Sequence, residues 1–154
     1  MAGMVEKKLQ ELGVVLAEPT TPSANYVPFV RTGNLLTVSG QICYEGGNLV
    51  AVGKLGAGVS LEEGQKAARA CAINVLAQVK AALGDLDKVV RVVRLGGFVN
   101  SAPNFVEGPK VMNGASDLMV AAFGDKGKHA RSTIGVAVLP LDSAMEVEAL
   151  FEVS

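Results

Sequence analysis

The stretch from Ser60 to Gly84 constrains this chain more than any other. Ser60-Leu61-Glu62-Glu63 has the Ser-x-x-Glu form in which each side chain satisfies a free backbone donor at a helix start. Ala68, Ala72, Val75, Leu76, Val79 and Leu83 then recur at helical spacing, Glu63, Lys66, Arg69 and Lys80 fall on other faces, and Gly84 is placed to cap the end. The pattern predicts a helix over 61–83. Its apolar stripe has to be buried against another layer.

A second helix is expected after Pro109, which suits a first helical position. Val111, Met112, Ala115, Leu118, Met119, Ala122 and Phe123 give it a wide apolar face ending at Gly124, with Gly114 weakening its middle. Between the helices, the valine-rich run Val89 to Asn100 reads as a long strand, and Gly96-Gly97 suggests a bulge or bend inside it. Tyr26 to Arg31 and Asn34 to Ser39 flank Thr32-Gly33 as a β-hairpin. The glycines from Gly46 to Gly58 read as turns around one short strand, because no Gly-Lys-Ser/Thr follows to make a phosphate loop. Two strands close the chain, Arg131 to Val138 and Ala144 to Val153, joined by a turn over Leu139-Pro140-Leu141-Asp142-Ser143. The order β-β-(β)-α-β-α-β-β predicts an α+β sandwich, a mixed sheet with two helices packed on one face.

At 154 residues the chain fits one ordinary domain, and its 49% hydrophobic share excludes disorder. The mean hydropathy of +0.35 suggests apolar surface buried between subunits. Residues 1–24 read as an N-terminal extension with a short helix over 4–12, leaving 25–154 as the domain. No apolar run approaches the roughly 20 residues needed to cross a bilayer, and Met1 to Leu12 is charged rather than signal-like, so no membrane partner and a cytoplasmic location are expected. A formal charge of −1 with no basic stripe argues against nucleic acid. One histidine argues against a metal site built on imidazoles, and Cys43 and Cys71 lack a zinc or redox spacing and read as packing residues.

Alternation along the last two strands predicts that Ile134, Val136 and Val138 share the helix-covered face with Met145, Val147, Ala149, Phe151 and Val153. The uncovered face would then carry Arg131, Thr133, Gly135 and Ala137 with Glu146, Glu148, Leu150 and Glu152. The sequence offers no third layer for it, which predicts self-association through the bare sheet. A hairpin about Leu141 would set Arg131 opposite residue 151, about five residues or roughly 16 Å from Glu146. If both serve one site, they come from different subunits.

Three separated blocks resemble a known family. Tyr26-Val27-Pro28-Phe29-Val30-Arg31-Thr32-Gly33-Asn34-Leu35-Leu36-Thr37-Val38-Ser39-Gly40-Gln41 resembles the N-terminal hairpin of the Rid (YjgF-like) reactive-intermediate deaminases, also labelled the endoribonuclease L-PSP family. Ala130-Arg131-Ser132 with Leu139-Pro140, then Glu146-Val147-Glu148-Ala149, resembles their C-terminal signature. The resemblance covers about residues 25 to 153. It implies a chorismate-mutase-like fold, a homotrimer with its sheets inside, and inter-subunit clefts that take small carboxylate substrates without a cofactor. Those substrates are 2-imino or 2-enamino acids such as 2-aminoacrylate, hydrolysed to 2-keto acids and ammonia.

Carried over by position, the resemblance implies that Arg131 holds the substrate and Glu146 positions water, with Tyr26, Ser39, Gly40 and Asn113 lining the cleft. A guanidinium fork pairs bidentately with a carboxylate, and a carboxylate can orient the water that attacks an imine. Thr133 stands where the family often has cysteine, and would add a carboxylate contact. His129 stands where proline or an aromatic pair is common, and reads either as a site residue or as a loop residue. Each also has a plain reading: an interface salt bridge for Arg131, an ion-pair partner for Glu146, packing for Tyr26. The rival functions are a non-catalytic, metabolite-binding or chaperone-like trimer and, third, an endoribonuclease.

Overall fold

The computed structural model describes residues 2–154. A short helix, α1 (Met4–Glu11), precedes the hairpin β1 (Phe29–Thr32) and β2 (Leu35–Ile42), which turns over Gly33 at a φ of 61°. Four two-residue strands follow: β3 (Tyr44–Glu45), β4 (Asn48–Leu49), β5 (Lys54–Leu55) and β6 (Gly58–Val59). The glycine-rich region thus holds two small ribbons, one antiparallel and one parallel, where one short strand was expected. Then come α2 (Leu61–Leu83), β7 (Val89–Asn100), α3 (Gly108–Phe123), β8 (Ala130–Val136) and β9 (Met145–Val153). No helix among the described residues is long and apolar enough to cross a membrane.

The helix α2 has the predicted bounds for the predicted reason. Ser60 Oγ accepts from the Glu63 amide at 3.1 Å, the Glu63 carboxylate accepts from the Ser60 amide at 2.8 Å, and Gly84 closes the helix at a φ of 77°. Gly114 in α3 is a requirement of packing rather than a weakness. A Cβ there would lie 2.1 Å from the Gln65 carbonyl oxygen of α2, so glycine lets the two helices meet. At the chain's start, the Asp87 carboxylate caps α1 by accepting from the Met4 and Val5 amides at 2.8 and 2.9 Å. Leu9 of α1 is buried in the main core, and Cys43 and Cys71 are buried free thiols in the same core.

Five strands form a mixed sheet in the order β1-β2-β9-β7-β8, antiparallel except for β7 with β8. The two long helices cover one face, as the sequence predicts for an α+β sandwich. Met145, Val147, Ala149, Phe151 and Val153 all point into that core, alternating with half-buried residues that point out. Gly96 and Gly97 continue the ladder without interruption, whereas the register of β7 against β9 shifts earlier, between Val89 and Arg91 and between Val92 and Arg94. The two glycines instead make room: a Cβ at Gly97 would lie 2.4 Å from the Met112 sulfur, and one at Gly96 would lie 2.7 Å from Glu148 Oε1.

Two expectations about the final strands are corrected. β8 and β9 form no hairpin, because β7 lies between them and the chain from β8 crosses over its end. The faces of β8 are also reversed. Its parallel register sets Leu95 beside Arg131 and Gly97 beside Thr133, so Arg131 and Thr133 share the helix-side face with the buried Leu95. Ile134 points outward and is 52% exposed, and Val138 beyond the strand is 66% exposed. Alternation specifies which residues share a face but not which face is inward. β8 is an edge strand lying against the first turns of α3, where a guanidinium finds both acceptors and water.

Candidate functional site

The sequence-named residues gather in two clusters on opposite sides of the sheet. Arg131 projects from β8 onto α3, where Nη1 donates to Asn113 Oδ1 at 2.9 Å and to Ser116 Oγ at 3.0 Å, and Nη2 donates to the Pro109 carbonyl at 3.1 Å. A guanidinium carries five N–H donors, so these three bonds leave the Nε proton and one Nη2 proton for a ligand. Two such donors are what a carboxylate takes in a bidentate pair. Arg131 makes no ion pair among the described residues.

His129 joins this cluster through Ser116, a residue sequence reasoning missed. Its Nδ1 donates to the Gly127 carbonyl at 2.6 Å, because that oxygen can only accept, and its Nε2 meets Ser116 Oγ at 2.9 Å. Asn113 and Ser116 are three positions apart on α3 and therefore share a face. That spacing was the available signal, but it points nowhere until the register of β8 places Arg131 beside it. Thr133 Oγ1 is buried with no hydrogen-bond partner among the described residues, an arrangement that costs free energy until the hydroxyl is paired.

The second cluster surrounds Glu146 on the outer sheet face. Across the strands, Glu146 stands between Ile42 of β2 and Phe98 of β7, and Phe98 in turn stands beside Ile134 of β8. This apolar row and the Glu148 charge explain the direction of its titration: burial first, then repulsion by Glu148, raises the Glu146 carboxyl above the ordinary value of 4.5. Gly40 sits at the register shift of β2 between Val38 and Gln41, and a Cβ there would lie 2.7 Å from Glu146 Oε1. Glycine at position 40 is what admits the carboxylate.

Tyr26, Gly40, Leu141 and Glu146 line one cleft of about 1170 Å³. Tyr26 is 57% exposed in the single chain. Ser39 does not line that cleft. It holds the approach in shape, its Oγ donating to the Val27 carbonyl at 2.8 Å while its amide donates to the Pro28 carbonyl at 2.9 Å.

Arg131 and Glu146 do not meet within one chain. Arg131 aligns through Leu95 with Ala149, two strands and three positions from Glu146, or roughly 14 Å at standard strand spacings. They also project from opposite faces. With this geometry, as with the expected hairpin, one short ligand can touch both groups only if a second copy supplies one of them.

Comparison with known proteins places this architecture. The family described as "YjgF/chorismate mutase-like, putative endoribonuclease" matches residues 6–153. Protein TCP17 of Trypanosoma cruzi is 49% identical, the match covering 99% of this chain and 96% of that protein. The crystal structure of Atu1372 from Agrobacterium tumefaciens, a protein of unknown function, is 47% identical, with a TM-score of 0.93 over 98% of this chain and 93% of that one. A structure from Shewanella oneidensis is 36% identical, with a TM-score of 0.95 over 98% of this chain and all of that one. The fold extends to TdcF of E. coli with bound serine, at 23% identity and a TM-score of 0.63 over 89% of this chain and 94% of that one.

Proposed function

We propose that this chain, which belongs to the YjgF/chorismate mutase-like family, hydrolyses small 2-imino or 2-enamino acids in clefts between the subunits of a homotrimer. The observation that carries the proposal is the donor count at Arg131. Three of its five N–H groups are engaged by α3, which fixes the guanidinium and leaves two protons for a substrate carboxylate. Asn113, whose Oδ1 is engaged by Arg131, keeps its amide protons for the same ligand. Thr133 offers an unpaired hydroxyl two positions along the strand.

A neighbouring copy would complete the cleft with Tyr26, Gly40 and Glu146. The outer face through which it would dock is uncovered and partly apolar, with Val30 52% and Ile134 52% exposed. Glu146, whose carboxyl is raised by burial, suits general acid–base work. It takes a proton from water as the water oxygen bonds to the carbon of the protonated imine and the C=N π pair moves onto nitrogen. It returns that proton to the amino nitrogen of the tetrahedral adduct. As the carbon–nitrogen bond breaks, the hydroxyl proton passes to the Glu146 carboxylate, so that a 2-keto acid and ammonia leave, and Glu146 then gives up its proton to solvent. No cofactor enters this sequence of steps. Among relatives of the same fold, TdcF holds serine, a molecule with the carboxylate that Arg131 would read.

The family's description as an endoribonuclease fits the cleft less well. Within one chain its lining carries Glu18, Glu45 and Glu146 against Arg69, and Arg131 of a neighbouring copy would add one further cation, a balance that suits a single carboxylate better than a phosphate backbone. A non-catalytic binding role shares the arginine but leaves the raised carboxyl of Glu146 without a task. The test generates 2-aminoacrylate from serine with a dehydratase and follows keto-acid release. The expected result is acceleration by the protein that Arg131→Ala abolishes. Equal rates with wild type, variant and no added protein would leave only the binding role.

A further inference from the structure

We infer that Leu141 and Ile42 receive the aliphatic side chain of the substrate, so that this chain prefers imino acids longer than three carbons. The inference rests on the carboxylate-binding reading above and goes beyond it by naming the substrate class.

The first support is position. Ile42 is the direct cross-strand partner of Glu146 on the outer face, and both line the cleft with Leu141. Directly opposed residues on one face lie about 5 Å apart at Cβ, so whatever meets the Glu146 carboxylate also meets the Ile42 side chain.

The second is conformation. Leu141 has a φ of 56° and Asp142 a φ of 58°, two consecutive non-glycine residues in the left-handed region. Side chains with a Cβ adopt that region at a cost, and leucine has no local hydrogen bond to offset it. The turn is nevertheless fixed from several sides. The Asp142 carbonyl accepts from the Gly53 amide at 2.8 Å, its carboxylate accepts from Asn100 Nδ2 at 2.8 Å, and Lys54 Nζ donates to Asn100 Oδ1 at 2.8 Å. Asn100 is buried at the end of β7, so this brace anchors the turn to the sheet. Its product is a leucine 67% exposed at the rim of the cleft. Strain held in place by its surroundings, presenting an apolar side chain at the rim of the cleft that Glu146 also lines, is the pattern of a binding site rather than of a connecting turn.

The third is the lining: besides Ile42 and Leu141, the apolar residues of the cleft include Ile73 and Pro140.

The test is calorimetric titration of the assembled full-length protein with pyruvate and with 4-methyl-2-oxopentanoate, keto acids that differ only in the side chain. Wild type is expected to bind the branched acid about tenfold tighter, from burial of part of its isobutyl group. In Leu141→Gly that preference should fall to about twofold or less while Tm stays equal or rises, because glycine relaxes the turn. Leu141→Met should keep most of the preference. An unchanged preference in Leu141→Gly overturns the inference, as does a wild type without one. So does a fall in assembly mass on light scattering, which would make Leu141 a subunit contact. Arg131→Ala separates the two readings: it should weaken both acids together and preserve their ratio. If it binds both acids as wild type does, the carboxylate reading fails and the Leu141→Gly ratio still decides this one.

Discussion

The clusters around Arg131 and Glu146 hold their charges in opposite ways. Arg131 is an edge-strand cation with three acceptors on α3, and Ser116 among them is itself held by His129. Glu146 is flanked by Ile42 and Phe98, and its carboxyl is raised by the burial this brings and by Glu148. On the proposed reading, one group is an anchor held in place and the other exchanges a proton. An anchor gains from preorganisation, whereas an acid–base group gains from a desolvated setting that brings its pKa toward the working pH. That division of labour can be broken from either side.

The largest effect is expected at the reacting side. Glu146→Gln should lower kcat by about 10³-fold, a typical magnitude for loss of a positioned acid–base group, while changing KM only a few-fold. Arg131→Lys should do the reverse, raising KM by about 100-fold, because a point charge cannot reproduce the bidentate fork. The contrast between sites also predicts complementation. Mixing Arg131→Ala and Glu146→Gln subunits after co-refolding should restore about one quarter of wild-type activity, the share of interfaces in a random cyclic assembly that receive both intact groups. Steady-state kinetics on the separate and mixed variants checks all three. No recovery on mixing would show that Arg131 and Glu146 do not meet across a subunit interface, and would overturn the shared cleft.

How far this division could be read from sequence differs between the sides. The helix Leu61–Leu83 and the strand Val89–Asn100 were legible to the residue, because a capping box, a terminal glycine and a β-branched run are local signals. Arg131 and Glu146 were singled out by their flanking blocks. The face of β8 was not, because a period-2 pattern looks the same from both sides and Ile134 and Val136 read like core. Ser116 and the brace on Leu141 were not legible either. Each depends on contacts between segments far apart in the chain, Ser116 with Arg131 and Asn100 with Asp142, and no local pattern encodes such pairs.

A pH series sharpens the acid–base half of the comparison. The Glu146 carboxyl is raised in the folded chain, so the protonated form is the one folding favours. Its contribution to stability is present below the unfolded value and is lost as pH rises through the folded one. Glu146→Gln should therefore melt at a higher temperature than wild type near about pH 7, with the difference closing near about pH 4. Activity should run the other way, rising with pH as the base form accumulates. A wild type that melts at or above the variant across the whole range would mean that the assembled cleft pairs Glu146 with a cation, and that its task is structural.

The smallest effect tests whether Arg131 is positioned or merely present. Ser116→Ala leaves the Asn113 and Pro109 contacts but removes one of two acceptors on Nη1 and the bridge to His129. Loss of one hydrogen bond to a charged group should raise KM by about tenfold and leave kcat within about twofold, since the guanidinium still carries its charge but samples more orientations. Ser116→Thr keeps the hydroxyl and should recover most of that loss. His129→Asn should give a smaller rise of about threefold, because it acts on Arg131 only through Ser116. The KM-against-kcat split matters more than the size of either change. A structural role for Ser116 would lower Tm and leave KM alone, whereas a fall in kcat equal to the rise in KM would move Ser116 from the anchor to the reacting centre and erase the distinction between the two clusters.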